Sequence, residues 1–265
     1  MRIVAAVLGL ALLLAACGEP AGPVRDPSMG VQLAAAPVAG PVSPDPRVGP
    51  IFVLGDTLHI CTGSVVHSST GNVILTAAHC LFNGFAATFV PGFFAPGALN
   101  TAAPSAAAPS NVWKIDATYL DPLWVASQDP RVDYAFARVS RTGGGSIEAQ
   151  VGALRLGRAP APGSEVGIIG YAVGIGGTPI GCQTSTGITP SGYPSFPCTG
   201  LVTGTSGSPW IKGTMVTGVI GGLEQGGCTP YVSYSSPFNE RTAALLARAE
   251  AGGRGDAAPL ALGSC

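Results

Sequence analysis

The chain has 265 residues, 39 of them Gly and 24 Pro; 46% of it is hydrophobic, and only 10% is Asp, Glu, Lys or Arg. So many backbone breakers and so few charges exclude coiled coils and long helical bundles, and 13 Lys and Arg against 14 Asp and Glu leave no basic surplus for nucleic acid. The apolar content is too high for a disordered chain, which leaves a turn-rich, all-β globular protein kept soluble by uncharged polar residues.

Met1-Arg2 opens the chain and an uncharged apolar run follows from Ile3 to Ala16. The run is shorter than the ~20 residues that span a bilayer and fits the hydrophobic region of a signal peptide at 1–16. It ends in Leu14-Ala15-Ala16-Cys17, which resembles a bacterial lipobox. That resemblance implies cleavage before Cys17, acylation of Cys17 and attachment to a membrane surface. An ordinary signal peptide with an incidental Cys17 is the alternative. Residues 17–47, with prolines from Pro20 to Pro46 among Ala, Gly and Val, read as a lipid-anchored tether. A cleavable propeptide is the competing reading. The expected location is therefore the cell surface or membrane, with release to the outside as a variant.

From Val48 the pattern is short apolar runs between turn residues: Ile51–Leu54, Gly63–Val66, Asn72–Leu75, Tyr134–Val139, Val166–Ile169 and Met215–Ile220. Pro91 to Ser110 is rich in Ala, Pro and Gly and reads as an inserted loop. One helix is expected, Asn239–Glu250, with a cap-competent Asn and a stop at Gly252-Gly253. The tail 253–265 reads as unstructured, and its Arg254-Gly255-Asp256 tripeptide as a chance match to an integrin-binding sequence. Many short strands and one terminal helix predict a sandwich or a pair of barrels. Apart from Cys17 there are six cysteines, an even number that argues for disulfides in an exported chain. With no C-x-x-C pair and only His59, His67 and His79, no metal site is expected.

Three segments carry chemistry. They are Thr76-Ala77-Ala78-His79-Cys80 preceded by Cys61-Thr62-Gly63-Ser64, then Asp129-Pro130-Arg131-Val132-Asp133-Tyr134, then Gly204-Thr205-Ser206-Gly207-Ser208-Pro209. T-A-A-H-C, an Asp opening a strand, and G-x-S-G-x-P in that order resemble the chymotrypsin-like serine peptidases, in particular their secreted bacterial branch, over roughly Val48 to Glu250. The order His, Asp, Ser differs from the Ser, acid, His order of α/β-hydrolases. The resemblance implies an all-β fold of two six-stranded antiparallel barrels with a C-terminal helix. The N-terminal barrel would span about 48–150, the C-terminal barrel about 151–238 and the helix 239–250, within a peptidase domain at 48–252.

It also implies roles for residues. A serine hydroxyl is a weak nucleophile, so a base must take its proton as it attacks. Ser206 would be that nucleophile and His79 the base, since an imidazole exchanges protons near neutral pH. Asp133 would fix the ring's tautomer and stabilise the imidazolium. Ser208 is the rival nucleophile, and Asp129 and Asp121 are the rival acids. The N–H groups of Gly204 and Ser206 would form the oxyanion hole. Cys61 and Cys80 match the family's disulfide around the catalytic His. The other four cysteines allow three connectivities, and Cys182–Cys198 with Cys228–Cys265 is the expectation; Cys265 could instead be free or pair with another chain.

The sequence also departs from the family. Trypsin-like members carry an Asp before the nucleophile that receives the new N-terminal ammonium on activation; here Thr205 stands there. Arg47-Val48-Gly49 only imitates an activation site, so the oxyanion loop is expected to be preformed by local hydrogen bonds. Six residues before the nucleophile, where trypsin-like enzymes hold an Asp, is Gly200, and no His follows His79. A neutral or apolar specificity pocket near Gly200, Leu201, Ile220, Gly221 and Gly222 is expected, unless Glu224 reaches inward. The reading is a monomeric serine endopeptidase acting on proteins or peptides without a cofactor. The alternatives are a catalytically weak surface binding protein on the same fold and an esterase-like hydrolase.

Overall fold

The computed structural model describes residues 36–53, 58–82, 86–95, 107–173 and 177–260. The signal run, Cys17, most of the tether and Cys265 lie outside the described residues.

After the short strand β1 (Gly40–Pro41), six strands close a barrel: β2 (Val48–Val53), β3 (Leu58–Val66), β4 (Val73–Thr76), β5 (Ala87–Phe89), β6 (Trp113–Leu120) and β7 (Ala135–Ser140). Their order around the barrel is β2-β3-β4-β7-β6-β5, every pair antiparallel. All four residues of β4 and all six of β2 are buried, as closure requires of strands covered on both faces. Ile51, Val65, Ile74, Leu75, Phe89, Trp113 and Phe136 belong to the hydrophobic core built on and within it.

The C-terminal half adds β8 (Arg155–Leu156), β9 (Glu165–Gly170), β10 (Ile180–Ser185), β11 (Gly187–Ile188), β12 (Pro194–Phe196), β13 (Pro209–Lys212), β14 (Met215–Val219) and β15 (Ser233–Tyr234). The second closed six-stranded barrel is not formed among the described residues. A six-stranded sheet, β1-β10-β9-β13-β14-β8, stands beside a three-stranded one, β11-β12-β15, and the β14–β8 pair is parallel. Strands of two or three residues between glycine-rich turns make too few ladder bonds to close a ring. The core of this half centres on Ile168, Phe196 and Trp210.

Two boundaries shift. Residues 36–47, expected in the tether, are part of the folded body. β1 pairs with β10 through Gly40–Gly181 and Pro41–Ile180, and Ala39 N–H donates to Thr199 O at 2.8 Å. Val48 opens β2 opposite Ser64 and is fully buried, and Arg47, in the turn before it, accepts from Val65 N–H, so the Arg47-Val48 link is packed into the folded body. The tail is also packed as far as it is described. Asp256 N–H donates to Thr118 O, the Asp256 carboxylate accepts from Leu120 N–H, and Arg248 pairs with it at 2.6 Å. Burial tends to raise the Asp256 pKa, but the Arg248 guanidinium and the Leu120 amide outweigh it and lower the pKa. The Arg254-Gly255-Asp256 carboxylate is thus engaged within the fold.

The expected helix is α3 (Glu240–Ala251), with Asn239 and Thr242 forming a reciprocal capping box. Two short helices, α1 (Pro122–Ser127) and α2 (Ile147–Val151), were not expected; Asp121 caps the first, with Pro122 at its start, and Ser146 caps the second. Cys61–Cys80 and Cys182–Cys198 are disulfides. Cys228 is also disulfide-bonded, but the Cys228–Cys265 expectation involves Cys265, outside the described residues. No helix among the described residues is long and apolar enough to cross a membrane. Disulfides fit a protein that folds in an oxidising, extracytoplasmic compartment.

Candidate active site

Strand register brings the first two site residues together. Thr76 at the end of β4 pairs with Ala135 at the start of β7. His79 lies three residues beyond the former, in the 3-10 turn Ala78–Cys80, and Asp133 two residues before the latter. The Asp133 carboxylate is fully buried and accepts three hydrogen bonds. His79 Nδ1 meets Oδ2 at 2.8 Å, His79 backbone N–H donates to Oδ1 at 2.9 Å, and Gly222 N–H donates to Oδ2 at 2.8 Å. Ser236 Oγ accepts from Asp133 N–H at 3.0 Å and donates to Pro130 O. A buried carboxylate so saturated can serve as a fixed acceptor for the ring N–H. The His79 side chain keeps about 10% exposure, its other edge open to the cleft.

Asp129 and Asp121 are engaged elsewhere. Asp129 caps the turn that leads to Asp133, and Asp121 caps α1 and pairs with Arg241 at 2.7 Å. His67 sits at the surface against Glu148. Cys61 and Cys80 lie beside His79 but are joined to each other, so neither offers a thiolate to a metal.

The third residue arrives on turns. The segment Leu201 to Ser208 is pinned to the end of β14, with Gly207 N–H donating to Ile220 O and Ile220 N–H to Ser208 O. Gly207 has φ +80°, and a Cβ there would stand 2.2 Å from both Thr62 O and Thr76 Oγ1, so only glycine lets the Ser206 turn sit this close to the first barrel. Ser206 and His79 line the same cleft, of about 500 Å³. No hydrogen bond joins Ser206 Oγ to the ring among the described residues, a spacing common before substrate closes the site. Ser208 is fully buried, with Oγ packed where a Gly170 side chain would be, and does not reach the cleft.

Gly204 N–H and Ser206 N–H have no acceptor among the described residues, as an oxyanion hole requires. Thr205, fully buried, donates its hydroxyl to Val202 O at 2.7 Å, and its N–H goes to the same carbonyl at 3.0 Å. Among the described residues the neutral loop is held both by these local bonds and by Thr62 of β3, whose hydroxyl donates to Gly204 O and whose N–H donates to Ser206 O.

Of the expected pocket residues, Leu201 and Ile220 line the cleft. Gly200, Gly221 and Gly222 lie behind it, facing Ala39, Asp133 and Ser236. Another stretch of the wall is Glu224 to Pro230, where Glu224 and Gln225 both adopt left-handed backbone, φ 53° and 50°. Glu224 Oε2 accepts from Cys228 N–H at 3.3 Å, so the carboxylate folds along the wall. Sequence reasoning missed the Gly222 amide and His59. His59 packs near Phe52 and Tyr171, with Nε2 buried and unpartnered. Burial pushes its pKa down to about 4, although the backbone carbonyls of Gly204, Tyr171 and Cys61 pull it up. A histidine that repeats no motif gives no signal of this in the sequence.

No family model matches the sequence, and no curated protein matches it significantly. Solved structures do. The protease Anisep from Arthrobacter nicotinovorans superposes with a TM-score of 0.66 at 23% identity, over 81% of this chain and 100% of that one. The thermostable serine protease AL20 from an extremophilic microorganism gives 0.63 at 22%, over 79% and 99%. Human heparin binding protein gives 0.59 at 15%, over 83% and 99%. With its closed first barrel, its C-terminal helix and these neighbours, the chain has the fold of the chymotrypsin-like serine peptidases.

Proposed function

We propose that the protein is a serine endopeptidase that cleaves peptide bonds through an acyl-enzyme on Ser206. The observation that carries this reading is the His79 ring, bonded at 2.8 Å to a buried, triply hydrogen-bonded Asp133 and opening onto the same cleft as Ser206 and two unpaired amides. His79 takes the proton as Ser206 Oγ attacks the carbonyl carbon, and Asp133 holds Nδ1–H so that Nε2 is the free base. The Gly204 and Ser206 amides receive the oxyanion. His79 then protonates the leaving amine, and water releases the acyl group by the same steps. The mixed cleft wall, with Leu201 and Ile220 beneath and the Glu224 carboxylate turned along it, favours an uncharged side chain at the cleaved residue.

A fluorophosphonate probe tests this. Ser206-dependent labelling, lost in Ser206→Ala and accompanied by peptide cleavage, is the expected result. Folded protein that resists labelling would point to the reading as a surface binding protein; one structural neighbour is named for binding heparin. A net charge of -1 gives this chain no surplus for a polyanion such as heparin. Labelling with ester but no peptide turnover would favour the esterase. Lipid attachment at Cys17 is a further proposal, tested by metabolic labelling with an alkynyl fatty acid and its loss in Cys17→Ala.

A further inference from the structure

We propose that Thr62, on the N-terminal barrel, is the positioning residue that aims the oxyanion-hole amide of Gly204; this rests on the reading of Ser206 as nucleophile. Thr62 is fully buried in β3, one residue after Cys61, whose disulfide reaches the His79 turn. Its hydroxyl donates to Gly204 O at 3.0 Å and accepts from Tyr171 N–H at 2.9 Å. Its backbone N–H donates to Ser206 O at 2.8 Å, and its carbonyl accepts from Thr76 Oγ1 at 2.8 Å. All four polar positions of the residue are used, two of them on the nucleophile loop.

The effect on Gly204 follows from planar trans peptides, in which C=O and the next N–H point in opposite directions. Val173 N–H holds Thr203 O, so the Gly204 N–H of that same plane turns the other way. The next plane is fixed at both ends: Thr62 Oγ1 holds Gly204 O, and Thr205 N–H on the far side is held by Val202 O. With both flanking planes fixed, Gly204 stays at φ +95°, where a Cβ would lie 2.6 Å from Val173 N. Without the Thr62 hydroxyl, Gly204 O would lose its donor at 3.0 Å, and this plane would be free to rotate toward another donor such as the neighbouring His59 ring. Thr62 thus supplies from the other barrel a hold that Thr205, bonded only within its own turn, cannot give.

The test compares Thr62→Val, which keeps the shape and removes the hydroxyl, with Thr62→Ser, which restores it. Peptide turnover and hydrogen exchange at the Thr205 amide are both read. In Thr62→Val, kcat is expected to fall about 10- to 100-fold with KM within about twofold. The Thr205 amide should exchange about tenfold faster or more. Thr62→Ser should recover both to within about threefold of the parent. Unchanged Thr205 exchange in a folded Thr62→Val protein overturns the proposal whether or not the parent cleaves peptides. Equal losses in the Ser and Val variants would overturn it too, since packing of the threonine methyl would then be the cause. A parent that fails to label with fluorophosphonate defeats the peptidase reading alone and leaves the exchange result to decide the role of Thr62.

Discussion

The two sides of the cleft are built in different ways. His79 and Asp133 hang from adjacent antiparallel strands of a closed barrel, so ladder register sets their separation, and a disulfide and three hydrogen bonds refine it. Ser206 and the oxyanion amides sit on consecutive turns beside an open sheet, with Gly204 and Gly207 at positive φ and the loop held one hydrogen bond at a time. Closure supports the backbone of the His79 side twice over, because each strand is held on both edges. The nucleophile side has no such redundancy, and part of its support comes from the other half through Thr62. The proposed oxyanion hole, which needs an accurate donor direction, thus falls on the less redundant side.

The largest effect expected on either side is that of Ser206→Ala, which should reduce turnover about 10⁵- to 10⁶-fold while leaving the thermal transition unchanged. His79→Ala should fall in the same range, and the double variant should be no worse than either single one. Additive losses in that cycle would show that the two sides do not act as a unit. Next come the disulfides. Their separations, 19 and 16 residues, give nearly equal chain-entropy contributions of about 3 kcal/mol each. Cys61→Ser/Cys80→Ser and Cys182→Ser/Cys198→Ser should therefore lose similar stability in denaturant titrations, but only the first should also depress kcat, because Cys80 adjoins His79. If the second pair proves the more damaging to kcat, the Cys182–Cys198 loop supports the Ser206 turns more than the Cys61–Cys80 loop supports His79.

His59 offers a probe of similar size across the boundary. Its folded pKa, near 4, lies below the ordinary 6.5, so the unfolded chain binds the extra proton. Stability is complete above pH about 6.5 and is lost as pH falls from there to 4, by on the order of 3 kcal/mol. His59→Phe should remove that part of the acid slope in urea melts at pH 7, 6, 5 and 4; an unaltered slope would mean that His59 is readily protonated in the fold. The smallest effect belongs to the tail. Arg248→Ala should cost about 1 kcal/mol, measured as a lowered thermal midpoint. Because the Asp256 pKa is lowered, the stability tied to that pair is present above the ordinary carboxylate range and lost with acid, so parent and variant should converge at low pH.

Much of the site could be read in the chain because its chemistry demands rare side chains in a fixed order. One of only three histidines lies in T-A-A-H-C, and in so sparsely charged a chain few carboxylates compete with Asp133. Short apolar runs between turn residues marked several of the barrel strands around them, and Asn239 with Gly252 marked α3. Other features left no trace in local pattern. The two-residue strand β1 is too short to show a period, and prolines that suit a tether also suit an edge strand, where an N–H need not be offered. The tail's fold depends on Asp256 meeting Arg248 and β6, a partnership over distances that composition does not encode.

By itself the sequence supplied the candidate residues His79, Asp133 and Ser206, their order, and a neutral threonine where the resembled family has a carboxylate, since these are matters of side-chain identity. The tertiary structure decided how that neutral loop is held, which glycines face the cleft and which lie behind it, and that the acid is completed by the Gly222 amide. Backbone amides and carbonyls are the same in every residue, and only the fold sets where they point.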